Sequence, residues 1–178
     1  VVPELIFCKR RDSGGQWPVY YGDEEKALFL DDDVSTDTNI SFWNNTSPTS
    51  AVFTLKDNQE SNANNGTFIA ILFATLTGIS KVGSYTGTGN NINVDCGFSS
   101  GARFILIKRT DADGDWFVYD TLRGIVSGND PYLFFNDAEA QVTNTDYIDP
   151  LSSGFTVTSS ASAAINASGG TYLFLAIA

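Results

Sequence analysis

A duplicated segment constrains the fold of this chain more than any other feature. LIFCKRRDSGGQWPVYY, residues 5–21, aligns with FILIKRTDADGDWFVYD, residues 104–120, without a gap. Both copies have four apolar residues followed by K-R-x-D-x-x-G-x-W and x-V-Y. The aligned pairs include Asp12 and Asp111, Gly15 and Gly114, and Trp17 and Trp116. One structural unit is therefore encoded twice.

Two further matches follow in the same order. PTSAVFTL from Pro48 resembles PLSSGFTV from Pro150, and NGTFIAILFA from Asn65 resembles GGTYLFLAIA from Gly169. Residues 1–78 and 101–178 are thus two copies of one unit, joined by a connector over residues 79–100. Gly and Asn residues in the connector surround two short predicted strands.

Each copy has the pattern of β-strands. Each copy contains apolar runs of strand length. In the first copy these are LIFCKR, KALFLD, AVFTL and TFIAILFA, and each has a counterpart in the second. The last run of each copy is continuously apolar, as in a strand that is central in a sheet or buried on both faces. The one helix candidate is NDAEAQ from Asn136, with a length of a turn or two.

The sequence predicts an all-β fold in which both copies form one domain over residues 1–178. Five strands a copy are too few to bury two sheet faces, so we expect an antiparallel β-sandwich, jelly-roll or lectin-like, with pseudo-twofold symmetry. Two separate small domains are the alternative.

Charge and length exclude several classes of partner. The net charge is -11 and the sequence pI is about 4.1, so the chain would repel nucleic acids and anionic membranes. No apolar run reaches the roughly 18 residues of a membrane span, and we expect no membrane insertion. The chain contains no methionine, and we expect it to be a processed product or a fragment of a longer protein.

Catalytic chemistry has little support in the sequence. The chain has no histidine, which removes the usual general base and zinc ligand. The acidic run at residues 31–33, with Glu24 and Glu25 nearby, is interpreted as a solvated loop; a glycosidase carboxylate pair is the alternative. Ser80 and Lys81 are adjacent, which is not the S-x-x-K spacing. We predict that the chain is not an enzyme.

The two cysteines, Cys8 and Cys96, are too few for a disulfide framework or a metal cluster. Cys8 lies in an apolar run and is interpreted as a small buried hydrophobic residue. A Cys8–Cys96 bridge stays open.

Three aspartates, Asp111, Asp113 and Asp115, are spaced two apart after the second K-R. This spacing begins an EF-hand loop, but Trp116 stands where glycine is needed and Leu122 where glutamate is needed. We interpret the segment as a hairpin turn in which Asp caps the loop and Gly takes positive φ. A looser calcium site at the three carboxylates is the alternative.

Exposed aromatic residues are the candidates for ligand binding. Trp17 and Trp116 recur in both copies and are assigned to core or hairpin packing. Trp43 lies in the polar segment SFWNNTS without an aromatic match in the second copy, where Tyr147 is nearby. Trp43, Tyr147 and Tyr85, in GSYTGTG, are the candidate positions for sugar stacking or an interface.

Several segments together resemble a known domain. They resemble a domain of unknown biochemical function that is common in tail-fibre and other structural proteins of marine bacteriophages. The segments that carry the resemblance are PELIFCKRRD with the following Trp, GISKVGSYTGTGN, ARFILIKRTDADGDWFVYD and NASGGTYLFLAIA. The resemblance covers nearly the whole chain. It implies a β-sandwich at the surface of a virion and supplies no catalytic residues.

From these features we expect a non-enzymatic virion structural module in a tail fibre, head fibre or capsid decoration. Its partners would be other virion proteins or copies of itself in a homo-oligomer, and a host cell-surface glycan. The alternative is a carbohydrate-binding, lectin-like module that uses calcium through Asp111, Asp113 and Asp115.

Overall fold

The chain is described by a computed structural model over residues 1–38 and 42–178. It divides into two compact units, Val1–Ala74 (unit 1) and Thr75–Ala178 (unit 2). The described residues form three antiparallel sheets and one short helix, which confirms the all-β prediction. None of their helices is long and apolar enough to cross a membrane.

Unit 1 contains one four-stranded sheet. Its strands are β1 (Leu5–Arg10), β2 (Pro18–Tyr20), β3 (Leu28–Phe29) and β4 (Phe68–Phe73), in the spatial order β3-β2-β1-β4. Aliphatic and aromatic residues on one face of this sheet pack on Phe42 and Trp43. The buried members of this cluster are Ile6, Cys8, Tyr20, Ala27, Phe29, Phe42 and Trp43.

Unit 2 contains two sheets. Its elements are β5 (Ser80–Thr86), β6 (Ile92–Asp95), β7 (Phe104–Arg109), β8 (Trp116–Asp120), β9 (Leu133–Phe134), β10 (Ile148–Leu151), β11 (Gly154–Val157), α1 (Ala163–Asn166) and β12 (Thr171–Ile177). One sheet has the order β5-β12-β7-β8-β9 and the other β10-β11-β6. The two connector strands predicted between residues 79 and 100 are therefore confirmed as β5 and β6.

The two sheets of unit 2 enclose one apolar core. Phe155 of β11 meets Phe174 of β12 edge to face, with ring centroids 5.4 Å apart. Buried residues from both sheets belong to the same cluster, including Val94, Ile105, Phe117, Ile148, Phe155 and Phe174. Unit 2 is thus a β-sandwich whose two layers interlock through aromatic rings.

The duplication in sequence is also a duplication in topology. Strands β7, β8, β9 and β12 have the same order as β1, β2, β3 and β4. The equivalent strands also pair in the same register. Matched pairs are Ile6–Tyr20 and Ile105–Tyr119, Val19–Leu28 and Val118–Leu133, and Arg10–Phe68 and Arg109–Tyr172. A pseudo-twofold axis that brings both copies into one sandwich stays a prediction.

The repeated D-x-x-G loop is the turn of an antiparallel hairpin in both units. Asp12 accepts a hydrogen bond from Arg10 Nε at 2.8 Å, and Asp111 accepts one from Arg109 Nε at 3.0 Å. Gly15 has the expected positive φ of 135°. Gly114 has no positive φ, so that part of the turn prediction is wrong for the second copy.

The repeated tryptophans hold the hairpin to the next strand. The backbone N–H of Trp17 donates to Asp31 at 2.8 Å, and that of Trp116 donates to Asn136 at the same distance. Trp116 is 1% exposed, and the Lys9 ammonium lies 5.3 Å from the Trp17 ring centroid. Their assignment to hairpin and core packing agrees with these contacts.

Two local predictions are wrong. AVFTL, residues 51–55, is not a strand, and residues 136–141 are not helical. The counterpart of AVFTL in the second copy is β11, which is paired on one side by β6 from the connector. Unit 1 contains no described strand equivalent to β6. A strand needs a neighbour to satisfy its backbone, so the same sequence pattern stays irregular there.

Candidate functional site

A cleft in unit 2 lies where the edges of its two sheets approach each other. β5 ends the five-stranded sheet and β6 ends the three-stranded sheet. The space between them is about 340 Å³. Its lining combines polar and apolar groups: Lys81, Gly83, Ser84, Tyr85, Ile92, Asn93, Val94, Asp95 and Phe174. We call it the β5–β6 cleft.

Aromatic rings form the inner wall of the β5–β6 cleft. The Tyr85 ring is stacked on Tyr172 with centroids 4.9 Å apart, and its hydroxyl donates to the Ile165 carbonyl at 2.8 Å. A Cβ on Gly83 would lie 2.7 Å from the Phe174 ring. Glycine therefore lets the β5 backbone lie against that ring and keeps side-chain atoms out of the cleft at this position.

Polar side chains lie around the aromatic wall. The side-chain oxygen of Asn93 accepts a hydrogen bond from Thr156 at 2.9 Å, which orients the amide nitrogen of this exposed residue. Asp95 accepts from Gly97 N–H at 2.9 Å. The pKa of the nearby Cys96 thiol is raised to about 11, chiefly by burial; Asp95 adds to this rise and Lys81 opposes it. A cation and a carboxylate thus both lie near the thiol at the cleft.

The predicted aromatic positions are placed in three different environments. Tyr85 lines the β5–β6 cleft. Tyr147 is half-buried, with its ring stacked on Tyr132 at 5.8 Å. Trp43 is only 2% exposed, packs edge to face on Tyr20 at 5.5 Å, and donates from Nε1 to the Lys26 carbonyl.

The expectation that Trp43 presents its ring in a polar loop is therefore wrong. Polar neighbours in sequence suggested exposure, yet its flanking residue Phe42 is also in the core. A buried indole offers no face to a sugar. Of the three predicted positions, Tyr85 alone lines the described cleft.

Two of the three aspartates of the second D-x-x-G loop, Asp111 and Asp115, bond different residues. Both carboxylate oxygens of Asp111 bond Arg109, and one also accepts from Thr171 N–H at 3.0 Å. These bonds, chiefly that of Arg109, lower the Asp111 pKa to about 2. Asp115 accepts from the Asn136 amide at 2.9 Å. Within residues 1–38 and 42–178, no group of three acidic, cysteine or histidine residues is arranged to hold a metal ion.

Asp130 is a buried carboxylate that sequence reasoning missed. It is fully buried and accepts hydrogen bonds from the N–H groups of Tyr147 and Ile148 at 2.9 Å. Its pKa is raised to about 7, chiefly by burial; the Asp146 and Asp149 carboxylates add to this rise and the two backbone bonds oppose it. Its local sequence, GNDPY, has the composition of an ordinary turn, so no local signal identifies it.

Both cysteines are free thiols and both are buried. Each belongs to the apolar cluster of its own unit. Burial raises the pKa of Cys8 to about 12, so this thiol is protonated and unreactive at neutral pH. This supports the interpretation of Cys8 as a small hydrophobic residue, and no Cys8–Cys96 bridge is formed.

Comparison with known proteins places the whole chain in one family. No curated protein and no solved structure is significantly similar to it. A family defined as a domain of unknown function, DUF7483, matches residues 1–178. The duplicated four-stranded sheet and the β5–β6 cleft both lie within the matched residues. The chain belongs to the DUF7483 family.

Proposed function

We propose that this chain is a non-catalytic structural module of a virus particle, located in a tail fibre, a head fibre or a capsid decoration. Its role is to display a rigid surface for host attachment or particle assembly. The observation that carries this proposal is the duplicated sheet, in which equivalent strands keep the same order and register. Antiparallel ladders around aromatic cores suit a scaffold that must keep its shape outside a cell.

The acidic residues support a structural role. Asp31 accepts from Trp17 N–H, and Asp32 accepts from Gln16 and Val34. These carboxylates therefore hold the β1–β2 hairpin to the following loop. A glycosidase would direct two carboxyl groups toward a substrate, whereas Asp31 and Asp32 bond groups of the protein itself, which favours the structural role.

The assignment to a virus particle is supported by the resemblance of the K-R-x-D-x-x-G-x-W segments and SYTGTGN to phage structural domains. It is tested by labelling purified particles from the source culture with an antibody raised against this chain. We expect gold label at one fixed position on intact particles. A chain that is present in the lysate and missing from purified particles would contradict the proposal.

Saccharide binding in the β5–β6 cleft is a second candidate function. An aromatic wall with amide, carboxylate, hydroxyl and ammonium groups around it suits a sugar ring, which has an apolar C–H face and polar hydroxyls. Tyr85 and Phe174 supply the wall, and Lys81, Asn93 and Asp95 supply the polar groups. A rigid particle module with such a cleft could attach to a host glycan directly.

We predict that Lys81→Ala weakens binding to a host-surface glycan array at least about 10-fold, because a charge-assisted hydrogen bond contributes about 1.5–3 kcal/mol. Binding is expected to persist in EDTA, because Asp111 is bonded to Arg109. The matched control is Lys56→Ala, which removes an exposed lysine of unit 1. Equal binding by Lys81→Ala and wild type would exclude the cleft, and loss of binding in EDTA would restore the calcium alternative.

A further inference from the structure

The strand β4 has an edge that pairs with no other described strand, here called its free edge, whereas its duplicate β12 has none. β12 pairs with β7 on one side and with β5 on the other. β4 pairs with β1 in the same register, but it ends the sheet of unit 1. The same kind of strand is thus central in one sheet and terminal in the other.

The backbone of β4 shows which groups face this free edge. Successive residues of an antiparallel strand direct their N–H and C=O groups to opposite sides. Arg11 N–H donates to the Thr67 carbonyl at 2.8 Å, so the odd-numbered residues from Thr67 to Phe73 face β1. Phe68, Ala70 and Leu72 face away from it. Their counterparts in β12 are the residues that bond β5.

The side chains of β4 resemble those of an interior strand. FIAILF is entirely apolar, yet Ile69, Ile71 and Leu72 are 48%, 42% and 45% exposed. Edge strands normally carry a lysine, a proline or a bulge that prevents further pairing. β4 has none of these, and its ladder with β1 is continuous over six residues. An unprotected apolar edge of this kind indicates an interface.

We propose that β4 pairs antiparallel with β4 of a second copy of this chain, which forms a twofold dimer through a continuous eight-stranded sheet. One symmetry argument and one observation favour a second copy. An antiparallel strand paired with itself about a twofold axis is self-complementary and closes after two chains. No charged residue occurs from Ser61 to Ser80, so two chains of net charge -11 can approach here without burying like charges.

The test is a proline at an outward-facing position. Leu72→Pro removes an N–H that faces the free edge and leaves the β1 ladder its donors, which proline at a sheet edge permits. The matched control is Leu72→Ala, which removes the same side chain and keeps the N–H. The mass of the full chain is measured by light scattering at about 100 μM, together with the thermal midpoint of each variant.

We expect wild type and Leu72→Ala at twice the 19.2 kDa mass of one chain, and Leu72→Pro at the single mass. The Ala70 and Leu72 amides are expected to exchange more slowly with deuterium at high than at low protein concentration. The proposal would be overturned by a monomeric wild type or by open-ended assemblies. It would also be overturned by a dimeric Leu72→Pro whose thermal midpoint is near that of Leu72→Ala. If the natural occupant of this edge is a peptide of another protein, the purified wild-type chain would have the mass of one chain. The inference does not depend on particle membership or saccharide binding.

Discussion

Replacing Gly154 by alanine is expected to destabilise the chain by about 3 kcal/mol or more, because overpacking against backbone atoms cannot relax by rotamer changes. Gly154 begins β11 and pairs with Asp95 of β6. A Cβ at this position would collide with the Val94 carbonyl oxygen and lie 3.0 Å from the Cys96 nitrogen. The β6–β11 ladder would have to separate, and with it one side of the β5–β6 cleft.

The matched control for this substitution is Gly14→Ala. Gly14 has no atom within 4 Å of an added Cβ and no positive φ, so alanine should change the free energy of unfolding by less than about 0.5 kcal/mol. Urea denaturation of the three proteins measures the difference. A Gly154→Ala chain as stable as Gly14→Ala would show that β6 and β11 are not held at the described distance.

The second large effect is a pH dependence from Asp130. Its pKa in the folded chain is about 7 against an ordinary value of 3.8, so the folded state holds a proton that the unfolded chain releases. The resulting stabilisation is complete below about pH 4 and is lost as the pH rises through 7. Its size is on the order of 4 kcal/mol, since one unit of pKa corresponds to about 1.4 kcal/mol.

Asp130→Asn should flatten the dependence between pH 4 and pH 8, because the amide does not titrate. The free energy of unfolding, measured by urea at several pH values, should fall with rising pH for wild type more steeply than for the variant. Asp57→Asn removes an exposed carboxylate and controls for the lower net negative charge. Parallel profiles for wild type and Asp130→Asn would contradict the prediction.

Acidic groups with lowered pKa values act in the opposite direction. Arg109 holds the pKa of Asp111 at about 2, and Arg10 lowers that of Asp12. Their stabilisation is present above about pH 4 and is lost as the pH falls through their folded pKa values. These groups are exposed and contribute little to stability. The free energy of unfolding should therefore fall less below pH 4 than it rises, because of Asp130, when the pH is lowered from 7 to 4.

Much of the architecture follows from local patterns in the sequence. The repeated K-R-x-D-x-x-G-x-W segment predicted two equivalent hairpins, and β1–β2 and β7–β8 are those hairpins. Apolar runs of strand length predicted an all-β chain, and a strand's alternation and turn residues are encoded within a few neighbouring positions. The duplication extended this local information, because the two copies were expected to form equivalent units.

The candidate site depends on contacts between distant segments. Tyr85 was predicted, but the cleft around it forms because β5 and β6 join different sheets of unit 2. Trp43 lies among polar residues in the sequence and is nevertheless in the core, since burial depends on which distant residues pack against a side chain. Asp130 is unusual because residues 147 and 148 donate to it, and no neighbouring residue in the sequence indicates those bonds.

Strand pairing shows most clearly where local information ends. FIAILF and YLFLAI are nearly interchangeable as sequences, yet β4 is an edge and β12 is central. Likewise AVFTL pairs with no described strand and stays irregular, while GFTV is paired on both sides. The amino-acid sequence determined strand character, the turns and the repeat. Long-range packing decided which strands became neighbours, and therefore which edges and clefts stayed open. The physical reason is that a backbone hydrogen bond in a sheet joins residues that no local pattern relates.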